Sequence, residues 1–167
     1  QTVGLPTVLQ FGVSAATIPL AQVLSAVKGA HFYCIAEASD EVDALRVRLR
    51  EEGLDSVVTV LPTALEEWVY RYPEGCDSAL KRWFGDGVLE QLPSLDWVVV
   101  DGPDWQGQPC TRYPALPSVL EQLAPGAEVW MLGAQDSRVQ QVVDAWCQDY
   151  GFDATAPDEA GVVRLTR

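Results

Sequence analysis

Histidine and lysine are scarce in this chain: His31 is the one histidine, and Lys28 and Lys81 are the two lysines, in 167 residues. One imidazole leaves little room for zinc, because the cysteines at 34, 76, 110 and 147 lie far apart with no C-x-x-C pair to complete a ligand set. It also excludes a hydrolase. Gly12-Val13-Ser14-Ala15-Ala16 is a loose G-x-S-x-A nucleophile elbow, but that chemistry needs a histidine late in the chain, and His31 precedes the second strand. With two lysines and nine arginines against 24 acids, the net charge is -13, which argues against a nucleic-acid partner. The acids are spread along the chain, as solubility alone requires. No apolar run approaches the ~18 residues of a membrane helix, and no charged-then-apolar leader opens the sequence. We therefore expect a cytoplasmic protein with no membrane partner. Cys34 lies in an apolar strand run and Cys147 follows a helical stripe, so both read as small buried hydrophobes.

What is present is a regular alternation of strand and helix. Thr7 to Phe11 is an apolar strand that runs into the small residues Gly12 to Thr17, and a helix opens at Ile18-Pro19-Leu20. Leu20, Val23, Leu24 and Val27 recur at helical spacing as far as Lys28-Gly29. Phe32 to Ala36 predicts a strand covered on both faces, Asp40 caps a helix through Val42, Leu45 and Leu49, and Gly53 stops it. Ser56 to Leu61 predicts a third strand, and Trp97 to Val100 a fourth. Between them the segment at about 63–94 is irregular, with one helix expected through Leu65, Trp68 and Val69 and another through Leu80, Trp83 and Phe84. Leu116, Val119, Leu120 and Leu123 predict a helix ended by Pro125-Gly126, Glu128 to Leu132 a fifth strand, and Val139, Val142, Val143 and Trp146 a helix begun by Asp136 or Ser137. Phe152 to Thr155 and Val162 to Thr166 flank a turn and pair as a terminal hairpin. Together these specify one domain over residues 1–167, a three-layer α/β sandwich with a largely parallel sheet, carrying the irregular insert.

Chemistry concentrates where strands end. A turn of small residues between strand and helix offers free N–H groups to a phosphate or carboxylate, or else simply packs on its own sheet. Glu37 ends the second strand about 25 positions beyond Gly12, where a carboxylate can take both hydroxyls of a ribose or merely stand in solvent. Asp101-Gly102-Pro103-Asp104-Trp105 ends the fourth strand, at the edge where open α/β sheets place ligands. Asp101 can accept a proton or orient a substrate, and Trp105 can stack on a flat substrate or cover the pocket. Arg112 can meet a substrate carboxylate or pair with Asp101 or Asp104. A metal shared by Asp101 and Asp136 is a weaker option, because Gly133-Ala134-Gln135 supplies little else.

In order, these pieces resemble the class I S-adenosylmethionine-dependent methyltransferase superfamily, over nearly the whole chain. In small bacterial members the loop looks like F-G-S-G-x-S-T, where this chain has Phe11-Gly12-Val13-Ser14-Ala15-Ala16-Thr17; V-D-G-P matches Val100 to Pro103, and R-Y-P-A-L matches Arg112 to Leu116. The resemblance implies a Rossmann-like, seven-stranded, mostly parallel sheet with a C-terminal antiparallel hairpin. It implies S-adenosylmethionine as cofactor, held by Gly12, Ser14, Ala15, Thr17, Glu37 and Asp101, with Asp101 the catalytic acceptor. It also implies a small-molecule substrate methylated on oxygen or nitrogen, met by Trp105, Arg112 and Tyr113. The chain departs from the pattern at Gln10, where an acid often stands, at Ser14 and Ala15, where glycines stand, and at Gly133-Ala134, where some relatives carry paired acids. An eroded loop also fits a catalytically inactive binding or assembly module. No helical lid segment precedes the first strand; the insert, or a neighbouring subunit in a homodimer, is expected to serve instead.

Overall fold

The computed structural model describes residues 5–37, 39–74, 76, 81–103 and 110–167. In chain order the elements are β1 (Thr7–Phe11), α1 (Thr17–Ser25), β2 (His31–Ala36), α2 (Asp40–Glu51), β3 (Val58–Pro62), β4 (Leu65–Glu67), β5 (Arg82–Phe84), α3 (Asp86–Leu89) and β6 (Leu95–Val100). Two 3₁₀ turns follow (Tyr113–Ala115 and Pro117–Gln122), then β7 (Leu123–Met131), α4 (Ser137–Tyr150), β8 (Asp153–Ala154) and β9 (Val163–Thr166). The main sheet runs β3-β2-β1-β6-β7-β9-β8. Its first five strands are parallel; β9 is antiparallel to β7 and to β8. The expected seven-stranded α/β sheet with a reversed hairpin is therefore present. Strand order turns back between β1 and β6, so their carboxyl ends form the crevice that such sheets offer to ligands.

Apolar strands need cover on both faces, and two clusters supply it. Val8, Phe32, Cys34 and Val99 pack with Ile18, Ala21 and Leu24 of α1 and Leu45 and Leu49 of α2. Leu9, Phe11, Ile35, Val98 and Val100 pack on the other face with Trp83, Phe84, Leu116, Val142 and Trp146. The face of α1 differs from the one expected. Val23 and Val27 are exposed, while Thr17, Ile18, Ala21 and Leu24 are buried, because small side chains let the helix sit close to the sheet. The cap of α2 is Ser39, whose side chain accepts from the Val42 amide; Asp40 is the first helical residue and, with Glu41 and Asp43, favours the positive end of the helix.

The insert contradicts the expected helices. Leu65 pairs with Phe84, Glu66 with Trp83 and Glu67 with Arg82 in an antiparallel ribbon, and Leu80 lies outside the described residues. Short apolar runs with i, i+3, i+4 spacing do not separate helix from strand. Tertiary contact decides here: the Trp83 and Phe84 rings pack at 5.1 and 5.9 Å from the Phe11 ring, closing the sheet face over β1. The helix expected through Leu116 to Leu123 is likewise replaced by the 3₁₀ turns, and β7 starts at Leu123 rather than Glu128. Pro117 has no N–H to return to the Tyr113 carbonyl, which instead accepts from the Trp146 indole at 2.9 Å. Cys76 and Cys110 form a disulfide that ties the insert to the segment after β6.

Candidate active site

The turn after β1 is fixed from both sides. The Gly12 amide donates to the Ile35 carbonyl of β2 at 2.8 Å, and the Asp101 amide donates to the Phe11 carbonyl at 3.3 Å. Gly12 has φ +87°, and a Cβ there would lie 3.1 Å from the Gly102 Cα. Glycine is thus required twice, for its conformation and for the contact. Gly102, to which the sequence pattern assigns no role, is thereby part of the site as the residue packed against Gly12.

Beyond Gly12 the turn braces itself. The Ser14 amide donates to Thr17 Oγ1 at 3.0 Å, the Ala16 amide to Ser14 Oγ at 3.1 Å, and the Thr17 amide to the Ser14 carbonyl at 3.2 Å. Thr17 is fully buried. Ser14 and Thr17, expected to touch cofactor, hold the turn together as acceptors through these bonds. The Val13 and Ala15 amides make no hydrogen bond among the described residues, which leaves them as the open donors of the turn. Gln10 is buried beneath it: its Nε2 donates to Ser14 Oγ at 3.3 Å, while its Oε1 has no partner among the described residues.

Around the turn, Glu37 stands exposed just past β2, and Asp101 is half-buried just past β6. Glu37, Ala15 and Asp101 follow neighbouring strands β2, β1 and β6, so all belong to one crest of the sheet. Trp105 and Asp104 lie outside the described residues. Arg112 is buried beside the crest, and its Nη1 donates to the Leu132 carbonyl at 2.6 Å and the Val100 carbonyl at 3.4 Å. It thereby ties together the ends of β6 and β7. Asp136 is engaged by Arg138, whose Nε donates to it at 3.0 Å; that guanidinium, helped by the Arg138 amide, holds the Asp136 carboxyl down at about 2. Tyr113 is not brought to the crest. Its hydroxyl donates to Asp149 Oδ2 at 2.7 Å and lies 3.2 Å from the Tyr150 hydroxyl, on α4. Burial first, and then those two neighbours, push its phenol well above the usual range.

The sequence matches no protein-family model and no curated protein. Solved structures do resemble it. A methyltransferase from Geobacter sulfurreducens superposes with TM-score 0.66 at 16% identity, over 98% of this chain and 71% of its own. The precorrin-6y C5,15-methyltransferase of Geobacter metallireducens gives 0.62 at 14%, over 97% and 78%. An O-methyltransferase from Bacillus cereus, solved in complex with SAH, gives 0.61 at 16%, over 96% and 74%. At such identities the likeness concerns architecture: the chain has the class I, Rossmann-like methyltransferase fold.

Proposed function

We propose that the crest of β1, β2 and β6 binds S-adenosylmethionine and that the protein transfers its methyl group to an oxygen or nitrogen of a small molecule. The observation that carries this reading is the Gly12 turn, pinned between β2 and β6 with the Val13 and Ala15 amides open, next to an exposed Glu37. The residues present suit the cofactor's parts. Glu37 offers two acceptor oxygens to the ribose hydroxyls. The open amides suit a carboxylate, and Gln10 Oε1 is a buried acceptor lacking a donor among the described residues. When bound, the cofactor supplies a sulfonium methyl group open to in-line attack. The chain's part is alignment, which in such transfers supplies much of the rate. Asp101, at the end of β6, takes the proton of the acceptor's O–H or N–H. Arg112 positions that end of the sheet from behind.

A second reading, an inactive module, is favoured by the bonds from the Ser14, Ala16 and Thr17 amides back into the turn, which withdraw donors that a nucleotide loop would offer. Thermal shift with S-adenosylmethionine and S-adenosylhomocysteine separates the two. A ligand at 100 times its Kd adds about 2.7 kcal/mol by mass action and should raise the melting temperature visibly. No shift with either compound selects the module.

A further inference from the structure

The sheet side that carries α1 and α2 is covered over β1, β2 and β3 but not beyond. Of β6 only Val99 is buried there, and among the described residues no helix other than α1 and α2 joins that cluster. Alternation puts Trp97 of β6, Trp130 of β7 and Arg164 of β9 on the bare stretch, since their neighbours Val98, Val129 and Leu165 belong to the opposite cluster. The two indoles stack with centroids 6.0 Å apart and remain half-buried. The flank of α1 beside this stretch is apolar too. On the other flank Gln22 donates to Glu52, at the end of α2, at 2.7 Å. Helical geometry therefore turns Leu20, Val23 and Val27 away from α2, toward β6. Val23 is 65% and Val27 42% exposed, and Leu5, 62% exposed, lies against Gly29 just past the helix. Half of the six exposed large apolar side chains among the described residues thus gather on one ridge beside a bare sheet. Soluble monomers rarely leave such surface contiguous.

Charge and shape select the occupant. With a net charge of -13, two copies repel over most of their surface. The ridge is an exception: α1 holds no charged residue, and the exposed Lys28 follows it. On the bare stretch Glu128 is already engaged, by the Trp130 indole at 2.9 Å and by Arg164 at 3.7 Å. A helix ridge and a gap of helix width therefore lie side by side on one face. A two-fold axis along the strands lays α1 of each copy over β6 and β7 of the other. Because α1 runs from the crest back to the start of β2, this axis holds Lys28 at the level where Trp97 pairs with Glu128. The ridge thus meets apolar surface, and its one cation meets Glu128 of the partner subunit. One helix on a sheet covers less than the ~800 Å² a side typical of a stable pair, and the symmetry doubles it.

We propose that the α1 ridge and the bare stretch of β6 and β7 form the interface of a two-fold homodimer, α1 of each subunit seated over Trp97 and Trp130 of the other. This pairing is independent of cofactor binding. Sedimentation velocity across a concentration series should show a particle of twice the 18.2 kDa chain mass. Val23→Glu/Val27→Glu, at exposed positions that spare the fold, should raise the dimer dissociation constant about tenfold or more, because carboxylates enter an apolar contact. Val47→Glu/Val69→Glu, at exposed positions on α2 and after β4, makes the same change in net charge and should leave it within about twofold. Arg164→Glu, on the sheet half of the contact, should weaken the dimer several-fold. A zero-length carbodiimide should join Lys28 of one copy to Glu128 of the partner subunit, identified by mass spectrometry of the dimer band. A monomer at every concentration would overturn the proposal, as would a mass that grows past the dimer. So would equal weakening by the two valine pairs, indifference to Arg164→Glu, or a dimer cross-linked through Lys81 instead.

Discussion

Gly12 shows how one position serves two strands. Gly12→Ala forces a side chain into a left-handed conformation and against Gly102, and should cost about 2 kcal/mol or more, read as a lower urea midpoint. Arg112→Met should cost roughly 2–3 kcal/mol, because the Leu132 carbonyl loses a charged donor inside the protein. Were Arg112 instead free to hold a substrate, this change would spare stability. At the residue scale, what the sequence makes legible is position at a strand end. Glu37 and Asp101 stand at the strand ends that the pattern named. Roles that depend on which partner a side chain finds were not legible. The place of Ser14 and Thr17 in the loop does not reveal that each hydroxyl also accepts from an amide within two or three residues. Tyr113 follows Arg112 directly, but faces the other way into α4.

At the scale of elements, long apolar strands and the α4 stripe could be read because burial imposes their periods. The insert could not, since β4 and β5 have three residues each and take their form from Phe11 below. Nor did spacing reveal the Cys76–Cys110 link, formed across 34 positions by folding. Closing a loop of that length should stabilise by about 3–4 kcal/mol on the chain-entropy view, so Cys76→Ser should unfold at distinctly lower denaturant. The face carrying the insert should also be sensitive to alkali. Burial raises the Tyr72 phenol from 10.0 to about 12, and moves the Tyr113 phenol in the same direction. On the opposite face burial raises the Cys34 thiol from 9.0 to about 12. Groups whose folded pKa is raised contribute stability that is complete below their unfolded values and lost as pH rises through the folded ones. Denaturant midpoints should therefore fall between about pH 9 and 12, and Tyr72→Phe should flatten part of that slope.

For the molecule as a whole, alternation plus a closing hairpin implies a largely parallel sheet with one antiparallel strand inserted, and β9, antiparallel to both β7 and β8, bears it out. No helix among the described residues is long and apolar enough to cross a membrane. The disulfide bears on the cytoplasmic expectation, because such bridges persist mainly in oxidising compartments. The central claim is that the crest lodges an adenosyl cofactor although Ser14 and Ala15 replace glycines. Isothermal titration of the wild-type protein and Glu37→Ala with S-adenosylmethionine and its demethylated product tests it most directly. Saturable heat with a Kd of order micromolar for the wild type, lost in Glu37→Ala, is the expected result. No heat from either ligand, or equal affinity in both proteins, would contradict it.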